Sequence, residues 1–235
     1  MQVNGKSFPV TLEARKVIYS LVEAGGKPYF VGGSVRDYIM DYPVKDYDIE
    51  VSGLNSDQIK VAAGRLGSIS ITGQSFQVIK LHLPSGTEFD ISIPRRDRKI
   101  GPLHTDYVIQ PDPTMTTAEA CLRRDYTINS AMYDPLEDTL IDYHGAVRDI
   151  QLRLLRPTSY LFKDDALRIF RGMQFAGRFG LKFVSSYRSV TQAMKLEYSY
   201  LKRERIWEEW LKWADLSKYP SHGIEFLLDT DWLSF

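Results

Sequence analysis

The chain has 235 residues, 43% of them hydrophobic, and its 30 basic side chains balance its 30 acidic ones. That is the composition of an ordinary globular protein, long enough for one sizeable core or a core with a helical annex. No apolar run approaches the roughly 20 residues that cross a bilayer, and Met1–Pro9 lacks the layout of a secretion signal. A single cysteine, Cys121, excludes an internal disulfide framework and suits a reducing cytoplasm. His82, His104, His144 and His222 are scattered without ligand spacing, so no zinc site is expected.

Taken in order, Thr11 is placed to cap a helix carrying Leu12, Val17, Ile18, Leu21 and Val22, which Gly25-Gly26 ends. Gly25-Gly26-Lys27 lacks the spacing of a Walker A loop. A strand over 28–31, a helix near 34–40 and a strand over 47–51 follow, then a helix from Ser56 to about Leu66. Alternation predicts strands near 68–72, 76–83 and 87–93, with Pro84-Ser85-Gly86 turning between the last two. Residues 96–118, rich in Pro, Gly, Thr and charge, read as a long loop. A strand over 139–142 and a turn at Gly145 come next. From Thr158 the pattern is helical: Phe162, Ala166, Ile169, Phe170, Met173 and Ala176 make a core stripe over 162–179. Trp207, Trp210, Leu211 and Trp213 give a later helix an aromatic side expected in the core.

Charge is uneven along this order. Residues 1–150 hold 16 Lys and Arg against 20 Asp and Glu, whereas residues 151–212 hold 13 against 6. The second block offers a phosphate-binding surface or a set of solvated helix faces, and charge alone does not choose.

The stretch that organises the chain is Phe30-Val31-Gly32-Gly33-Ser34-Val35-Arg36-Asp37, followed by Val44-Lys45-Asp46-Tyr47-Asp48-Ile49-Glu50. Glycines let backbone N–H groups approach a polyphosphate, and a following helix N-terminus adds positive potential. Alternation on a strand puts Asp46 and Asp48 on one face and turns Tyr47 and Ile49 into the fold. Two carboxylates projecting together call for a cation, and Mg²⁺ commonly joins one or two carboxylates to substrate phosphates.

This order resembles the first motif of the DNA polymerase β-like nucleotidyltransferases, in the form of class II tRNA nucleotidyltransferases (CCA-adding enzymes) and bacterial poly(A) polymerases. Further stretches resemble the same family: Glu88-Phe89-Asp90 with Arg95, Arg123-Arg124-Asp125-Tyr126-Thr127-Ile128-Asn129-Ser130, Asp164-Asp165-Ala166-Leu167-Arg168, and Glu204-Arg205-Ile206-Trp207-Glu208-Glu209. Tyr126 stands where the family has Phe, Ser130 where it has Ala, and Asp164 where it has Glu.

The resemblance implies an α+β fold. A nucleotidyltransferase head (1–156), with a mixed β-sheet and flanking helices, would precede an all-helical neck and the start of a body domain (157–235). The family continues into further helices that carry tRNA, so a truncated, minimal or partner-dependent chain is implied. Asp46 and Asp48 would hold two Mg²⁺ ions, with Asp90 as a third catalytic carboxylate. Gly32, Gly33, Ser34 and Arg36 would seat the triphosphate, and Arg123, Arg124 and Asp125 the phosphate and ribose. Asp165 and Arg168, with Arg171 beside them, would choose the base. Residues 96–118 would be the flexible segment that assists the change from C to A addition. The implied reaction adds CMP and/or AMP from CTP and ATP to a tRNA 3′ end in the cytoplasm, without a membrane. Poly(A) synthesis, CC-only or A-only addition, and a nucleotide- or RNA-binding module without catalysis stay open.

Overall fold

The structure, a computed structural model, describes residues 5–72, 78–99 and 107–233. The chain divides into two compact units. The first comprises residues 1–98, 108–121 and 129–143, and the second the remainder.

In the first unit Thr11 caps α1 (Leu12–Glu23), its hydroxyl accepting from Ala14 N. Then come β1 (Lys27–Val31), α2 (Gly32–Ile39), β2 (Tyr47–Ser52) and α3 (Ser56–Gly64), the last held by an Asn55–Gln58 capping box. The strands β3 (Ser68–Thr72), β4 (Val78–His82) and β5 (Glu88–Ser92) fall where alternation places them. The expected loop over 96–118 is instead built: β6 (Arg95–Lys99) and β7 (Tyr107–Pro111) form a two-stranded sheet, and α4 (Thr117–Leu122) follows. An all-charged strand such as Arg95–Lys99 has no apolar alternation to announce it, and backbone pairing alone defines it. Arg96 ties this ribbon down, donating to Asp112 (2.7 Å) and Glu119 (3.2 Å). Residues 100–106 of the expected flexible segment lie outside the described ones.

With β8 (Met132–Asp134) and β9 (Thr139–Ile141), the main sheet runs β3-β4-β5-β2-β1-β8-β9. The β2–β5 pair is parallel, while its other pairs are antiparallel. One face is apolar: Phe30, Tyr47, Ile49, Ile79, Leu81, Phe89 and Ile91 are buried. Phe8 fastens the N-terminal segment to this core, stacking on Phe30 and Tyr133 at 4.8 Å each. Such pairs contribute about 0.5–1.5 kcal/mol beyond area burial.

The second unit contains α5 (Ala146–Gln151), the parallel pair β10 (Leu154–Leu155) and β11 (Lys182–Phe183), α6 (Leu167–Phe179), α7 (Arg188–Ala193), α8 (Arg203–Leu216) and α9 (Pro220–Asp229). The core stripe is buried throughout, yet it is not one helix: Tyr160–Asp164 is a 3₁₀ turn and Asp165 is extended (φ −138°, ψ 105°). The Asp165 carboxylate accepts from Leu167 N and its carbonyl from Arg168 N, which starts a fresh helix there.

The aromatic side of α8 also departs from expectation. Trp207 is 63% exposed and Leu211 44%. Trp213 turns inward, where Gly177 and Gly223 leave no room for a methyl beside its indole. Asp149 is buried and fully engaged, accepting from Thr127 Oγ1 (2.7 Å) and from Arg156 Nε and Nη2 (2.9 and 3.1 Å).

Gly172 is the tightest point of α6. A Cβ there would stand 2.1 Å from Tyr126 Oη and 2.4 Å from Phe226 Cζ. Overpacking of this kind costs about 1–3 kcal/mol, so Gly172→Ala should lower the denaturation midpoint accordingly. A wild-type midpoint would contradict this packing.

Candidate active site

The first motif is assembled by pairing. β1 lies antiparallel to β2 with Val31 opposite Asp48, so the chain leaves β1 beside the acidic strand and turns at once. Gly32 makes that turn at φ +63°, where a side chain would be strained, and α2 begins there without a side-chain cap. Its first N–H groups therefore have no intrahelical acceptor, a ready seat for phosphate oxygens.

Gly33 keeps the seat open. A Cβ on it would be 3.4 Å from Arg36 Nη2 and 3.9 Å from Asp48 Oδ2. The turn, the guanidinium and the carboxylate thus face one another over a short gap.

The other members of this motif have been drawn inward. Ser34 is buried, and its hydroxyl donates to Val31 O at 2.8 Å, bracing the turn rather than reaching outward. Arg36 is buried as well. It donates through Nε and Nη2 to Asp37 Oδ1 (2.9 and 2.7 Å) and through Nη1 to Asn129 Oδ1 (3.0 Å). The motif alone gives Asn129 no role, whereas in the structure it fixes the arginine behind the diglycine turn.

On β2, Tyr47 and Ile49 are buried and Asp48 is partly exposed, as alternation requires. Asp46 lies one residue before the strand, in a bend, and is exposed. Asp90 stands directly opposite Asp48 across the parallel β2–β5 pair. It does not stand alone: Lys80 Nζ donates to Asp90 Oδ1 at 2.6 Å. That hydrogen bond, against some desolvation and with the charges of Asp90, Glu88 and Asp48, holds the Lys80 ammonium above the ordinary lysine range. Lys80 has no signal in the linear sequence, because its place depends on strand register.

Hard carboxylate oxygens beside phosphate-seating N–H groups suit Mg²⁺. Among the described residues no group of three or more metal-ligating side chains is assembled. Phosphates and water would have to complete the coordination, which fits an ion arriving with a triphosphate.

The remaining candidates belong to the second unit. Arg123 and Arg124 are partly buried in the turn after α4. Asp125 is buried and accepts from Arg171 Nε (2.8 Å), with Nη2 at 2.6 Å. Arg171 also lies over the Phe175 ring, 5.1 Å from its centre. Arg168 donates to Leu161 O (2.8 Å) and Arg123 O (2.9 Å). Tyr126, the departure from the family's Phe, donates its hydroxyl to Arg168 O at 2.9 Å. Burial pushes that phenol well above its usual pKa, so it remains a donor. Asp165 has Arg205 Nη2 at 3.9 Å, which brings the Glu204–Glu209 stretch to the Asp164–Arg168 one.

A strand, a diglycine turn opening a helix and an acidic strand paired back on the first, within a mixed sheet, define a nucleotidyltransferase-like head. Residues 28–156 match the poly(A) polymerase head domain, and the chain belongs to that family. It is 34% identical over 208 residues to the multifunctional CCA protein of Stenotrophomonas maltophilia (strain K279a), covering 86% of this chain and 49% of that protein. Against the multifunctional CCA protein of Xylella fastidiosa (strain 9a5c) it is 36% identical over 188 residues, covering 78% and 43%. The chain spans about half the length of the relatives it matches.

Among solved structures, an apo form of a CCA-adding enzyme superposes with a TM-score of 0.77 at 27% identity, covering 93% of this chain and 52% of that one. The Thermotoga maritima CCA-adding enzyme complexed with tRNA gives 0.72 at 27%, covering 93% and 50%. The Bacillus stearothermophilus enzyme in complex with CTP shares the fold, at 0.79 and 22% identity over 95% and 53%. No helix among the described residues is long and apolar enough to cross a membrane.

Gly33→Ala separates the seat from the fold. Alanine suits a helix better than glycine by about 1 kcal/mol, so stability should hold or rise. The methyl would project into the gap facing Asp48, and nucleotide affinity by isothermal titration should fall at least about tenfold. Unchanged affinity would show that nothing binds there.

Proposed function

We propose that this chain is a template-independent nucleotidyltransferase that adds CMP and/or AMP, from CTP and ATP, to the 3′ end of tRNA. The observation that supports it most is the closeness of Gly33, Arg36 and Asp48, with Asp90 in register beside Asp48. The relatives are named as CCA proteins and the structural neighbours as CCA-adding enzymes, which agrees with this substrate class. The head would be residues 1–156 and the helical neck 157–235, acting in the cytoplasm.

The N–H groups at the start of α2 would cradle the triphosphate, with the Arg36 guanidinium adding positive potential behind them. Asp46 and Asp48 would hold two Mg²⁺ ions, which when bound stabilise charge on the attacking and leaving oxygens of an in-line displacement. Asp90 would orient the RNA 3′-hydroxyl at the same face.

Arg123 and Arg124 would bind phosphate. Asp125, fixed by Arg171, would accept from a ribose hydroxyl. Asp165 would accept from the exocyclic amine that cytosine and adenine share, and Arg168 would donate to ring acceptors. Uracil and guanine present a carbonyl at that position and leave the carboxylate unpaired.

Incubating the protein with Mg²⁺, tRNA ending before CCA, and CTP or ATP singly and together should give ordered addition of C and A. Long A tracts would favour a poly(A) polymerase, and NTP binding without incorporation a lapsed module. Asp48→Ala should abolish transfer while the circular dichroism spectrum stays native, and retained turnover would remove its metal role. Arg168→Ala should also lose about 1–3 kcal/mol of stability, because its guanidinium satisfies two carbonyls. Its preference for CTP and ATP over UTP and GTP should relax more than its nucleotide affinity falls. An unaltered preference would refute base selection by Arg168.

A further inference from the structure

Four strands present polar side chains in one row across the sheet: Asp48 on β2, Asp90 on β5, Lys80 on β4 and Ser70 on β3. Their flanking neighbours Tyr47, Ile49, Phe89, Ile91, Ile79 and Leu81 are buried, so the row lies on the opposite, site-bearing face. The Lys80 and Asp90 side chains are 30% and 37% exposed. An ion pair that open adds little to folding stability.

What the pair changes is charge. Asp48 and Asp90 would otherwise stand as two carboxylates side by side across the β2–β5 pair, and Lys80 takes up an oxygen of Asp90 at 2.6 Å. The neighbouring polar groups engage one another, with His82 of the next row lying between Ser70 and Glu88. Ser70 Oγ lies 2.9 Å from His82 Nε2, and Glu88 Oε1 lies 2.9 Å from His82 Nδ1.

We propose that Lys80 is a positioning residue that keeps Asp90 engaged with its own ammonium, so that a divalent cation is held tightly at this face only when a nucleotide's phosphates join Asp46 and Asp48. The inference rests on the nucleotidyl-transfer reading above. Two carboxylates side by side attract a divalent ion with no nucleotide present. A resident cation held in place by a lysine stem removes one unit of negative charge and one ligand. Metal capture is then conditional on the triphosphate, which brings the missing oxygens.

The test is a Mn²⁺ titration of the whole chain, with free Mn²⁺ read by electron paramagnetic resonance in the presence and absence of CTP. Wild-type protein should bind Mn²⁺ weakly alone and far more tightly with CTP. Lys80→Met should bind Mn²⁺ about tenfold more tightly without CTP and change little with it, while Lys80→Arg should match wild type. Unchanged or weaker nucleotide-free binding in folded Lys80→Met overturns the proposal. Asp90→Asn, which leaves the ammonium uncompensated, offers a second check: nucleotide-free binding should weaken, and tightening overturns the proposal. If CTP fails to promote Mn²⁺ binding in wild type, or Asp48→Asn retains that binding, the site reading itself falls.

Discussion

The antiparallel pairing of β1 with β2, with Val31 opposite Asp48, is the constraint on which the site depends. It returns an acidic strand alongside the strand that ends in the diglycine turn. The backbone N–H groups at the start of α2 and a carboxylate come together without any long side chain reaching for the other. A slip of one residue would exchange the faces, burying Asp48 and exposing Tyr47 and Ile49. The aromatic cluster of Phe8, Phe30, Tyr47 and Phe89 beneath the sheet opposes that slip. Core packing on one face therefore enforces chemistry on the other.

In the second unit, preorganisation comes from polar bonds. Arg171 holds Asp125, Arg168 holds the Arg123 carbonyl, and the Tyr126 hydroxyl returns to the Arg168 carbonyl. The arginine motif and the first turns of α6 are thereby cross-braced from both sides. Gly172 makes this possible by clearing space for the tyrosine. Such bracing would hold the proposed binding groups in position before a ligand arrives, which lowers the cost of ordering them.

Strong periodicity and turn chemistry made much of the fold legible in the sequence. The Thr11 cap, the alternating strands around Pro84-Ser85-Gly86 and the inward turn of Tyr47 and Ile49 on either side of Asp48 follow from local rules. Register and long-range pairing do not. Nothing in the linear order places Lys80 against Asp90, Asn129 against Arg36, or β5 parallel to β2. Arg95–Lys99 hid its strand because every residue in it is charged, and Asp165 hid a helix start inside an unbroken apolar stripe. In α8 the aromatic residues suggested core, but Trp207 is held outward while Trp213 fills the space beside Gly177 and Gly223. The family motifs identified the candidate residues. The structure then distinguishes Ser34, which braces the turn, from Gly33, Arg36 and Asp48, which face the gap.

The most direct test of a single seat shared by the turn and the acids is metal-directed backbone cleavage. Fe²⁺ would replace Mg²⁺ in the presence of CTP, with ascorbate and peroxide generating hydroxyl radicals at the bound ion. Cuts are expected together at residues 32–34, at 46–48 and beside Asp90, and Asp48→Asn should abolish all of them. Cleavage confined to one of these segments, or falling elsewhere in the chain, would contradict the shared seat.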